Sequence, residues 1–163
     1  VAPIFGLGPF SFPLLILRRK EVPVELNLGT VPLSDVAVLE AFEACRLDPA
    51  KFHHDDHIRL AWLCVQRYGA QEAETKLLDG LRRFAERAGV PQKFMHTTTV
   101  AWTRLVATAQ TGSSGTVNFS EWIQSHPELL DRNLLDRYYS PGRLETAEAR
   151  SGWVIPDLAP LDF

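Results

Sequence analysis

HDDHIRLAWLCVQRYG, residues 54–69, decides the fold. Ile58, Ala61, Trp62 and Val65 recur at i, i+3, i+4 and i+7, the spacing of one face of an α-helix. Gly69 closes the run, and glycine suits the left-handed residue that ends a helix. A second helical pattern follows within two residues, from Gln71 to Ala88, with Leu77, Leu78, Leu81, Phe84, Ala85 and Ala88 on its apolar side and Arg82, Arg83, Glu86 and Arg87 solvated. Gly89-Val90 separates it from a third, predicted from Pro91 to about Ala109 with Phe94, Thr98, Ala101, Trp102, Leu105 and Ala109 as its stripe. Links this short force antiparallel neighbours. The first and third helices of the trio then point the same way, and their N-termini share one end of a bundle.

Shorter helices flank the trio. Ser34 is a fitting N-cap for a helix over 35–46, where Val36, Leu39, Ala41, Phe42 and Cys45 form a stripe. Beyond the Gly112-Ser113-Ser114-Gly115 loop, helices are expected over 119–125 and 132–139, with a Pro127 turn between them. Thr146 caps a last one reaching Gly152. The tail from Val154 carries Pro156 and Pro160 and reads as extended. No segment alternates with period two, apart from a weak pattern over 22–28. The fold class is therefore all-α: an antiparallel helical bundle of three long helices plus several short ones, with an extended C-terminal tail.

Composition agrees. At 163 residues, 45% hydrophobic and 23% charged, the chain is long enough for one domain with its own core. Its net charge of −3, with basic and acidic residues interspersed, speaks against a nucleic-acid partner. No apolar run approaches the roughly 18 residues of a membrane span. Cys45 and Cys64 both fall in apolar helical positions and read as reduced thiols of a cytoplasmic protein. Residues 1–23, rich in Gly, Pro and Phe, have neither helical nor strand period. Arg19 to Val22 can be encoded by a purine-rich stretch like a bacterial ribosome-binding site, and Val24 could be a GTG start. Two readings follow: a translated leader ahead of a helical domain over 24–163, or a genuine flexible tail.

Function points to the mouth of the first long helix. Three of the five histidines and two carboxylates fall within His53-His54-Asp55-Asp56-His57. His54 and His57 are i, i+3; His53 and His57 are i, i+4. Either pair shares a helical face and can hold one metal. Parallel first and third helices bring His96, expected in the second turn of the third, to the same end. A helix over 119–125 packed antiparallel to the third would return His126 there too. His53, His54, His57 and His96 are thus the candidate metal ligands, for Zn or Fe, and Asp56 and His96 the candidate catalytic bases. Asp55 and Asp56 equally suit a helix start, where first-turn acids are favoured. The Thr97-Thr98-Thr99 hydroxyls and Arg137-Tyr138-Tyr139 are weaker candidates; the four tryptophans read as packing.

The segments Phe52 to Trp62 (Phe-His-His-x-Asp-His-Ile-Arg-Leu-Ala-Trp), Lys93 to Thr98 and Leu129 to Leu161 together resemble an uncharacterised family of small bacterial all-α proteins. The resemblance implies that His54, Asp56, His57 and His96 belong to its signature, and it brings no activity with it. Three functions stay open: a metal-dependent enzyme acting on a small molecule, a non-catalytic metal- or ligand-binding module, and a protein-interaction domain.

Overall fold

The computed structural model describes residues 34–112 and 118–161. The readings of residues 1–23 and 22–28, and the tip of the Gly-Ser loop, lie outside these. Six α-helices stand among the described residues, which contain no strand: α1 (Asp35–Glu43), α2 (His54–Tyr68), α3 (Ala70–Arg87), α4 (His96–Thr111), α5 (Phe119–Gln124) and α6 (Ala147–Ser151). The all-α bundle is as expected. The three long helices α2, α3 and α4 pack mutually, and the short elements cover their flanks.

Gly69 is the whole link between α2 and α3. Its φ of 78° is left-handed, which costs glycine no Cβ clash and reverses the chain in one residue. Phe52 meets Phe84 at 5.4 Å while Lys76 sits 4.6 Å over the Tyr68 ring, so α2 and α3 run antiparallel. α3 and α4 do the same: Arg104 bonds Glu74 at 2.9 Å, and Arg82 stacks on Phe94 just before α4. α2 and α4 run parallel. Trp102 lies 4.7 Å from the His54 ring, and the Gln110 side chain donates to the Trp62 carbonyl at 2.9 Å. Both contacts join residues 48 apart, so one register holds along the pair.

The core draws on much of the predicted stripes, with Cys64 and Val106 added; in α1 Val38 is buried, whereas Val36, expected in the stripe, is exposed. Ile58, Ala61, Trp62 and Cys64 of α2 meet Leu77 and Phe84 of α3 and Ala101, Trp102 and Val106 of α4. α1 is docked by the Arg59–Asp35 ion pair and by Phe42, whose ring lies flush against Gly80. A Cβ on Gly80 would come within 2.2 Å of Phe42 Cζ, so the bare backbone is what lets α1 approach α3. α1 ends at Glu43, three residues short of the expected Arg46. Arg46 N–H bonds the Ala41 carbonyl across Cys45, whose φ is 55°. That is a Schellman ending with cysteine where glycine usually stands.

Two other expected helices are also shorter than their patterns. The run from Pro91 breaks into a 3-10 turn, Pro91–Lys93, and two extended residues before α4 begins at His96. The i→i+3 bonds from Lys93 and Phe94 tighten the turn, and Phe94 leaves the helical path to cover Arg82. His96 is therefore the first residue of α4, not part of its second turn. Of 132–139 only a 3-10 turn, Leu134–Arg137, forms. Asp131 captures the Asn133 N–H in place of a helical carbonyl, and adjacent Leu134 and Leu135 are both buried. The C-terminal segment is pinned at several points. The Thr97 hydroxyl donates to Gly152 O and accepts from Val154 N–H, Tyr139 O–H bonds Val154 O, and Asp157 accepts from Ser140 N–H.

Candidate functional site

At the mouth of α2 the polar residues are close in sequence yet are used one by one. Phe52 is buried and anchors the turn, with His57 against its ring at 4.2 Å. Asp56 accepts the His53 N–H at 2.9 Å, closing the helix start as a first-turn acid. His53 and Asp55 point to solvent. His54 is buried, only 4% exposed, and its Nε2 donates to the Leu129 carbonyl at 2.9 Å. That bond fastens the Pro127–Leu130 turn to α2.

Electrostatics follow from this packing. Burial holds the His57 imidazole down to about 3, and the neighbouring His54 adds to the effect. Burial lowers His54 as well, partly opposed by its bond to Leu129. Burial raises the Asp56 carboxyl, against the pull of the His53 N–H. His96 is lowered by burial first and by Arg82 second, and its Nδ1 is buried with no hydrogen-bond partner among the described residues. At neutral pH His54, His57 and His96 are all neutral.

They do not meet at one point. Among the described residues no three His, Cys, Asp or Glu side chains are grouped so that they could hold one metal ion. The expectation that His53 or His54, His57 and His96 would be neighbours needs this correction. The residue of α4 that faces His54 is Trp102, six positions beyond His96 and about 9 Å further along the helix. Connectivity puts the two N-termini at one end; the register between α2 and α4 sets Trp102, not His96, level with His54. His126 does come back towards that end, where it opens the Pro127–Leu130 turn that His54 holds through the Leu129 carbonyl. Its ring lies 4.8 Å from Trp122, which lies 6.0 Å from Trp62, two turns up α2 from His54. Its Nδ1 bonds the Trp122 carbonyl.

A different concavity lies where α1, α2 and α3 converge. It is a groove of about 690 Å³. Phe42 and Cys64, both almost fully buried, lie beneath it. Glu43, Tyr68 and Lys76 stand at one end, and Asp79, Arg82 and Arg83 line it further along α3. Burial first, then the Glu43 carboxylate, pushes the Cys64 thiol up to about 12, so it stays protonated. The Tyr68 hydroxyl donates to Glu43, which also raises its own pKa. Arg82 and Arg83 read from sequence as a merely solvated face. Gly80, in the middle of a helix where glycine costs about 1 kcal/mol, is the signal that another element comes close there.

No family model, curated protein or solved structure matches this chain significantly.

Proposed function

We propose that this chain is a small-molecule-binding module of the bacterial cytoplasm and that its ligand occupies the α1–α2–α3 groove. One observation carries the reading. The groove has the volume of a small-molecule site and is lined by charged and polar groups of three helices, whereas the His/Asp residues are spent on capping and packing. Two free cysteines, one of them buried beneath the groove, suit a reducing compartment. No helix among the described residues is long and apolar enough to cross a membrane. A fragment screen followed by two-dimensional NMR tests the proposal. Hits are expected to move the resonances of Phe42, Cys64 and Tyr68 together. Hits confined to other faces, or none, would overturn it.

A second reading keeps the bundle end as a Zn or Fe site held by His53, His54, His57 and His96, with Asp56 or His96 as base in a metal-dependent reaction. The neutral state of three imidazoles favours it, since neutral imidazole is the ligand form. His57 would have to leave Phe52, and the imidazoles would have to be drawn together. Metal analysis of untagged protein decides: stoichiometric Zn or Fe, lost when His57→Ala and His96→Ala are combined, supports this site, and metal-free protein unaltered by added Zn(II) removes it.

A further inference from the structure

We draw no further inference here: the strongest candidate, the apolar surface that Ile155 and Leu158 expose on the C-terminal segment, carries nothing because nothing in the structure shows what covers it.

Discussion

The mouth of α2 and the groove along α3 are built in opposite ways. The mouth is dense in ligand-type residues that are neighbours in sequence: His53, His54, Asp55, Asp56 and His57. The structure gives most of them a structural job. Asp56 caps, His57 packs on Phe52, and His54 ties the Leu129 turn to the bundle. The groove draws on residues of three helices, and none of them looks like a site in the sequence. Its far rim, Arg83 and Asp79, does nothing for the fold among the described residues. The lesson is physical. A buried polar group is tolerated when it has hydrogen-bond or packing partners, so a helix start finds uses for its own His and Asp residues. Polar groups left unengaged on a concave surface are those available to a ligand.

Substitutions can break or sharpen this contrast. Gly80→Ala should have the largest effect. The new Cβ would overlap the Phe42 ring, so α1 would have to move, at about 3 kcal/mol in urea denaturation. A cost near that of an ordinary surface change would show that α1 is loosely docked and that the groove is not fixed. Next comes His54→Ala, expected to lose about 2–3 kcal/mol. It opens space beside Trp102 and strips the Leu129 carbonyl of its donor. Arg83→Ala and Asp79→Ala should stay within about 0.5 kcal/mol. Equal costs at the two regions would erase the distinction between a structural mouth and an unengaged rim.

Acid should find the mouth first. Folded His57 titrates near 3 against an ordinary value of 6.5, and folded His54 is lowered as well. The unfolded chain therefore takes up protons below about pH 6.5 that the folded chain refuses. Stability should be level above pH 6.5 and fall as pH drops from there towards 3. His57→Phe, which keeps a ring against Phe52, should flatten the slope between pH 7 and 5; an unchanged slope would mean the drop originates elsewhere. The smallest effect is a gain. Cys45→Gly relieves a left-handed cysteine and should add about 1 kcal/mol. No gain would mean that the Cys45 side chain makes contacts worth as much as the strain.

Much of the architecture was legible in the chain. The stripe from Ile58 to Val65, the stop at Gly69 and the short link to α3 impose an antiparallel pair whatever the rest does, because helical period and chain reach are local. Ser34, Thr146 and the proline turns were readable for the same reason: each acts on backbone groups a few residues away. The start of α4 was less so, since Phe94 leaves the helix for a partner on α3 that no local pattern encodes.

The candidate site divides along the same line. That α2 and α4 point the same way, with His54, His57 and His96 towards one end, follows from the short links. Whether those rings meet depends on axial register, and register is set by how large side chains interlock between helices. Trp102 settles against His54 and Gln110 reaches the Trp62 carbonyl, and this fit sets Trp102, not His96, level with His54. The groove likewise exists only because Gly80 admits Phe42. The sequence by itself determined the helices, their order and their directions, which arise from local periodicity and short links. Tertiary structure alone decided which side chains face one another and which stay open, because close packing is a property of surfaces brought together from distant parts of the chain.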